Sequence, residues 1–251
     1  MTAIPQGRTR RIGLLGAVCA LAVTGTGLTG CSDDPDEGTN GVGKLPADQI
    51  QTKAKAAAES ADAVRLSGNV VTSGRTYKLD MRLKDDGGSG SVTAEGATFR
   101  LLRIGDQLFL KADAEFWSHE DGKSDDGTTD TAAADKLDGK FVKVPQGDPS
   151  YKKFSGFTDK DVLLSGLLTL HGELSTDGYH EQSGTPTIRI TGDDGSGGKL
   201  DVSLDGKPYP LRLERAGGAG TLTFSGWGTS FTLEKPDKDE TVDYGKQLPT
   251  S

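Results

Sequence analysis

The sequence predicts an α+β fold in a single domain: an antiparallel β meander interrupted by helices. Three observations carry that expectation. Apolar residues alternate with polar ones over short stretches, most plainly at Tyr77, Leu79, Met81 and Leu83 against Lys78, Asp80, Arg82 and Lys84, the period of a strand with one wet face. Turn pairs separate these stretches, and Gly, at 36 of 251 residues, is about twice its usual share. Finally, only two segments after residue 45 show an apolar helical period strong enough to matter, Pro46 to Ser60 and the run that begins at Thr158.

The first 30 residues stand outside the fold. Arg8, Arg10 and Arg11 precede an uncharged Ala/Leu/Val/Gly/Thr run from Ile12 to Leu28, the layout of a secretory signal. That run is at the short limit for a bilayer span, so an uncleaved anchor helix is the competing reading. Thr9-Arg10-Arg11 followed by Leu14-Leu15 is an incomplete twin-arginine pattern, which leaves the export route open. The run ends Leu28-Thr29-Gly30-Cys31, which resembles a bacterial lipobox. A thiolate is the side chain here that accepts a diacylglyceryl group as a thioether, and small residues before it fit a peptidase cleft. Cleavage would make Cys31 the lipidated N-terminus and would remove Cys19, leaving no free thiol. It would also remove three arginines and no acid, so 26 bases would face 37 acids for a charge of −11. Such a surface is repelled by polyanions and anionic headgroups. Nucleic acid is therefore not an expected partner, and attachment to the cytoplasmic membrane has to come from the lipid, with the domain on the extracytoplasmic face.

Residues 31–44, Gly-, Asp-, Asn- and Thr-rich, are expected to form a disordered tether reaching roughly 20 Å. The helix from Pro46 to about Ser60 follows, with Ile50, Ala54, Ala57, Ala58 and Ala61 as its thin apolar stripe. Strands are expected at Val64 to Val71, Tyr77 to Leu83, Phe99 to Ile104, Leu108 to Lys111 and Phe141 to Val144. Further strands are expected at Ile188 to Ile190, Leu200 to Leu204, Leu211 to Leu213, Leu222 to Phe224 and Phe231 to Leu233. Asp86-Gly87-Gly88, Gly105-Asp106, Asp194-Gly195, Asp205-Gly206 and Gly217-Gly218 supply the turns. A weak helix is expected around Thr131 to Leu137. A stronger one is expected from Thr158, where Thr158-x-x-Asp161 reads as a capping box before Val162, Leu163, Leu164, Leu167, Leu168 and Leu170. No internal repeat and no second linker divides residues 45–244; residues 245–251 read as a tail.

Motifs for catalysis are missing. Gly25-Thr26-Gly27-Leu28-Thr29-Gly30 matches a dinucleotide fingerprint only inside the signal segment, with no strand before it and no helix after it. No nucleophile elbow, zinc-protease motif or phosphate loop occurs, and Asp121, Asp125, Asp126 and Asp130 lack calcium-loop spacing. His119 among Glu120 and Asp121, His171 after the leucine run and His180 in a polar stretch each read as solvated or dipole-facing residues. Trp117 and Trp227 read as packing residues rather than ligand-stacking ones. The expectation is a non-enzyme with no cofactor and no metal.

The order of elements is distinctive: lipobox, tether, Ala-rich helix, paired strands, the Phe116-Trp117 pair, the strand Asp138-Gly139-Lys140-Phe141-Val142-Lys143-Val144-Pro145, the leucine helix, then hairpins containing Asp205-Gly206-Lys207-Pro208-Tyr209-Pro210-Leu211-Arg212-Leu213. In this order the chain resembles the actinobacterial lipoproteins of the LppX/LprG type, whose fold is similar to that of the LolA and LolB carriers, over residues 31 to about 244. The resemblance implies one strongly curved antiparallel sheet, a half-barrel, with helices on its concave face. It also implies an apolar cavity for the acyl chains of a glycolipid or phospholipid, carried at the cell envelope by a monomer. Tyr77, Leu79, Met81, Leu83, Phe99 and Leu101 on strands, with Leu163, Leu164, Leu167 and Leu168 on the helix, are the expected cavity wall. A dry core would use the same residues, and at 33% apolar content the chain is poor in material for lining both. A surface or sensor domain with a filled core is the other expectation.

Overall fold

The computed structural model describes residues 36–119, 134–243 and 245, with the side chains of Ser118 and His119 left aside. The signal segment, Cys31, the side chain of His119, the acidic loop from Asp121 to Asp130, the first three residues of the weak helix and nearly all of the tail lie outside the described residues; the rest of the weak helix, residues 134–137, is helical. Residues Pro35–Ser251 form one compact unit, and among the described residues no helix is long and apolar enough to cross a membrane.

One 12-stranded sheet carries the fold. Its strands are β1 (Ala63–Thr72), β2 (Arg75–Lys84), β3 (Gly87–Ala94), β4 (Ala97–Ile104), β5 (Gln107–Lys111), β6 (Phe141–Val144), β7 (Leu174–Gln182), β8 (Thr185–Gly192), β9 (Lys199–Ser203), β10 (Pro210–Glu214), β11 (Thr221–Ser225) and β12 (Thr241–Asp243). Their spatial order is β12-β6-β5-β4-β3-β2-β1-β11-β10-β9-β8-β7, open at both edges. Two meanders, β1 to β6 and β7 to β11, are thus joined where β1 pairs antiparallel with β11. Among the described residues only β12, beside β6, runs parallel to its neighbour. Tight hairpins set the register: Ser73-Gly74, Glu95-Gly96 and Ser183-Gly184 all have positive φ at both positions, the left-handed pair whose twist matches that of the flanking strands. The sheet is strongly curved, with helices on its concave face.

Alternation places Val64, Leu66, Leu79, Met81, Leu83, Phe99 and Leu101 on that face, with Leu66 opposite Met81 and Leu79 opposite Val92. Against them lies α1 (Ala47–Glu59), whose buried Ile50, Ala54 and Ala58 fill the stripe the sequence predicts. The small alanines let the helix axis approach the strands. Among the described residues the longer helices that follow are α2 (Ala114–His119), α3 (Pro149–Ser155) and α4 (Lys160–Leu167).

The leucine helix begins later than the sequence suggests. Asp159, not Thr158, caps α4, its carboxylate accepting from the Val162 amide at 3.0 Å. Thr158 is buried instead, its hydroxyl donating to the Ser155 carbonyl and accepting from Arg103. His171 lies three residues beyond the Leu168 cap that closes α4.

Three strands escape sequence reading, β3, β7 and the three-residue β12, and one expected strand is absent. In β7 polar residues occupy both faces at the sheet edge, so no alternation shows. In β3 two of the inward positions are Gly88 and Gly90, and only Val92 places a buried apolar side chain there. A Cβ at Gly90 would overlap the Asp80 carbonyl oxygen and come within 2.7 Å of Met81 Cα; one at Gly88 would lie 3.1 Å from the Thr158 carbonyl. These glycines let Met81 and the turn before α4 sit on the sheet. Gly90→Ala is expected to destabilise the domain by about 1–3 kcal/mol through this overlap, read as a lowered midpoint in urea unfolding. The stretch Phe231 to Leu233 forms no strand. It crosses the outer face, where Phe231 stacks beneath Arg82 and Lys84, 5.5 and 5.8 Å from its ring centre.

The expected tether is shorter than its composition implies. Residues 36–44 dock on the domain: Asn40 donates to the Ser203 carbonyl from its side chain and to the Leu204 carbonyl from its amide, at 3.0 and 2.8 Å. Val42 is buried in the core, and Tyr179 donates to Asp36. Hydrogen bonds from Asn40 and Tyr179 and the single buried side chain of Val42 hold this stretch, so composition alone hides it.

Candidate functional site

The strand ends that carry the β1–β2 and β3–β4 turns bound a cleft of about 520 Å³, within the range of small-molecule pockets. Its wall is aromatic. Tyr77 from β2 and Phe99 from β4 face Phe116 from α2, Phe154 from α3 and Phe157 from the turn after α3. Phe99 lies 5.3 Å from Phe116 and 5.4 Å from Phe154 between ring centres, and Tyr77 lies 5.9 Å from Phe157. These tilted and edge-on geometries suit aromatic packing, and Phe99, Phe116 and Phe154 are at the same time buried members of the core.

Local caps position those rings. Asp148 accepts from the Ser150 amide at 2.8 Å with Pro149 at the first helical position, which starts α3. Tyr151 then donates from its hydroxyl to the Asp106 carbonyl at 3.0 Å, pinning α3 to the β4–β5 turn; partial burial pushes the Tyr151 hydroxyl up from its ordinary range. Asp113 accepts from the Phe116 amide and Asp138 from the Ala114 amide, fixing the start of α2. Phe154 and Phe157 stand three residues apart, so one turn of chain delivers both to one side.

Charge gathers at the rim. Arg75 and Glu95 form an ion pair at 3.3 Å, both well exposed, and Glu115 and Lys153 stand nearby, with Lys153 5.6 Å above the Phe154 ring. The arrangement is an apolar slot with cations and anions at its mouth, suited to holding hydrocarbon and presenting a polar head to water.

Of the ten residues expected to form a cavity wall, Tyr77 and Phe99 line this cleft. Leu79, Met81, Leu83 and Leu101 are packed into the core, as are Leu164, Leu167 and Leu168, and Leu163 is packed against it while partly exposed. The leucine helix thus joins the same core and meets α1 directly. Phe116, Phe154 and Phe157 are the wall residues that the sequence reading did not choose. The spacing Tyr151, Phe154, Phe157 was the available sign, an aromatic stripe on a short helix.

A second hollow of about 540 Å³ lies on the outer face, between the sheet and the segment 232–234. Arg65, Asp80, Arg82 and Arg100 line it, so its chemistry is polar and unsuited to hydrocarbon. Arg65 grips Asp80 with two bonds of 3.0 and 2.8 Å, and these hold the Asp80 carboxyl below its ordinary range. His171 borders a shallow dimple of about 50 Å³ beside Leu170 and Gly197, and His180 sits 2.8 Å from the Asp177 carbonyl; neither faces the aromatic cleft. Among the described residues no three His, Cys, Asp or Glu side chains gather in a metal-sized cluster.

Similar folds are known. LprF from Mycobacterium bovis superposes with a TM-score of 0.51 at 14% identity, over 76% of this chain and 96% of that one. The Mycobacterium tuberculosis lipoprotein LppX gives 0.43 at 18%, over 74% and 97%. An uncharacterised conserved protein from Thermus thermophilus gives 0.36 at 12%, over 78% and 98%. No protein-family model and no curated sequence matches the chain. The likeness to LprF establishes a shared curved-sheet fold.

Proposed function

We propose that this chain is a lipid-anchored extracytoplasmic lipoprotein that binds one acyl chain of a glycolipid or phospholipid in the aromatic cleft and carries it at the cell envelope. The cleft is the observation that supports this reading most: an apolar slot of about 520 Å³ bounded by five aromatic rings, on a fold shared with LprF. Each methylene that leaves water for such a wall contributes about 0.8 kcal/mol, and the work needs no catalytic group. The Arg75–Glu95 pair at the mouth offers both signs of charge to a headgroup. The proposed occupant sits at one end of the sheet, not beneath the leucine helix, whose space is taken by side chains. That solid packing favours the second reading, a surface or sensor domain without a ligand.

Mass spectrometry of the purified domain separates the two readings. A co-purifying phospholipid or glycolipid, lost on Ala97→Trp, is the expected result, since Ala97 lines the cleft. A clean spectrum supports the filled domain. The anchor is tested separately: Cys31→Ala is expected to move the protein from the membrane fraction to the soluble one, because acyl chains supply the attachment that an acidic surface does not, and unchanged fractionation contradicts lipidation at Cys31.

A further inference from the structure

The geometry points to a membrane-facing surface at the strand ends opposite the cleft, in which Trp227, Tyr209 and Lys207 rest on the headgroup layer of the bilayer that holds Cys31, so that the cleft opens away from that bilayer. This rests on the lipid anchor at Cys31 and not on what the cleft binds.

The docked leader provides the first support. Because Asp36 and Asn40 are already fixed to the domain by Tyr179, Ser203 and Leu204, only residues 32–35 separate Cys31 from a docked residue. Five Cα steps extend at most about 18 Å. The ten-residue strand β2 is itself about 30 Å long. The leash is therefore shorter than the strands, and the strand end it starts from is the end the anchor keeps near the lipid.

Register identifies that end. Asn40 binds where β9 finishes, at Ser203 and Leu204, and Pro210 at the start of β10 pairs with Val202 there. β11 finishes at the same side, with Ser225 opposite Arg65 near the start of β1, and the Gly228 amide donates to the Ala63 carbonyl at 2.9 Å. On β2 this is the Lys84 end, since Lys84 faces Ala63; Arg75 and the cleft occupy the other.

The second support is what the anchored end carries. Tyr209 and Trp227 stack with ring centres 4.9 Å apart and planes 3° from parallel, both half-buried, and the Trp227 indole donates to the Pro210 carbonyl at 2.9 Å. The exposed Lys207 ammonium stands 5.9 Å from the Tyr209 ring. Rigid Trp and Tyr rings with a snorkelling cation are the side chains favoured at the boundary of acyl chains and water. Asp205, exposed in the same loop, offsets Lys207, so the contact depends on ring depth rather than on anionic lipid.

Tryptophan quenching tests the orientation without requiring biological acylation. Residues 31–251 are coupled through Cys31 to phosphatidylcholine vesicles bearing maleimide lipid and bromine on the upper acyl chain. The difference between the native chain and Trp227→Phe isolates Trp227, because Trp117 is buried and present in both. The Trp227 signal is expected to fall about twofold in brominated vesicles. A reporter at the far end, Thr98→Trp in the Trp227→Phe background, is expected to keep its emission. Quenching of the far reporter instead, equal quenching of both, or quenching of neither in coupled protein overturns the orientation. Loss of natural lipidation or of ligand binding leaves this result unchanged, so those failures are distinguishable.

Discussion

Asp201→Ala is expected to cost the domain about 3–5 kcal/mol, the penalty for stranding a buried charge. Asp201 is 2% exposed on β9 and stands opposite Arg189 on β8. Its carboxylate accepts from Arg189 Nε and Nη2 at 2.7 and 3.0 Å and from Gln182 Nε2 at 2.9 Å. The Arg189 guanidinium, raised above its ordinary value chiefly by the bond to Asp201, is itself mostly enclosed. Alanine would leave it with Asp177 at 3.9 Å as its nearest remaining carboxylate. Urea unfolding of residues 35–251 should show a large fall in midpoint, with Asp201→Asn intermediate because one acceptor survives. The Arg65–Asp80 pair is the internal comparison. Its geometry is equally bidentate, but both side chains are about half exposed, so Asp80→Ala should move the midpoint far less.

Lys160→Ala is the second large expected loss, about 2–4 kcal/mol from an unfilled site and stranded acceptors. Lys160 is 3% exposed although it is a lysine at the first turn of α4. Its ammonium donates to the Ala61 and Glu59 carbonyls at 2.6 and 3.2 Å and pairs with Asp85 at 2.6 Å. One side chain thus ties the C-terminal end of α1, the β2–β3 turn and α4, and its positive charge sits where the α1 dipole is negative. Asp85 is 75% exposed, so Asp85→Ala should cost far less than loss of the lysine. Similar losses for the two variants would show that the surface ion pair, rather than the buried carbonyls, holds the three elements together.

The fold was legible where alternation and turn chemistry agreed. Residues 77–83 read as a strand because one face had to be wet, and the Ala stripe of α1 read as a helix because its partner face had to be narrow. Residues 87–91 did not, since glycines chosen for clearance beneath Met81 and Thr158 remove the apolar signal that a strand is recognised by. Phe231 to Leu233 misled for the opposite reason: its apolar residues cover the outer face and cap Arg82 and Lys84 rather than joining the ladder.

The candidate site was legible only at Tyr77 and Phe99. Leu79, Met81 and Leu164 have the same composition signature whether they line a void or fill one. Their fate depends on how closely α1 approaches, which is decided by Ala54 and Ala58 more than 20 residues before Leu79. Phe116, Phe154 and Phe157 come together through local caps at Asp113 and Asp148 and through the Tyr151 bond to Asp106, which bridges distant parts of the chain.

The aromatic cleft as an acyl-chain site is tested most directly by titrating delipidated residues 35–251 with a fluorescent fatty acid, native chain beside Ala97→Trp. Saturable one-site binding that weakens at least about tenfold when the indole occupies the slot is the expected result, since a few methylenes excluded from the wall suffice for that factor. No saturable uptake by the native domain, or equal uptake by both proteins, contradicts it.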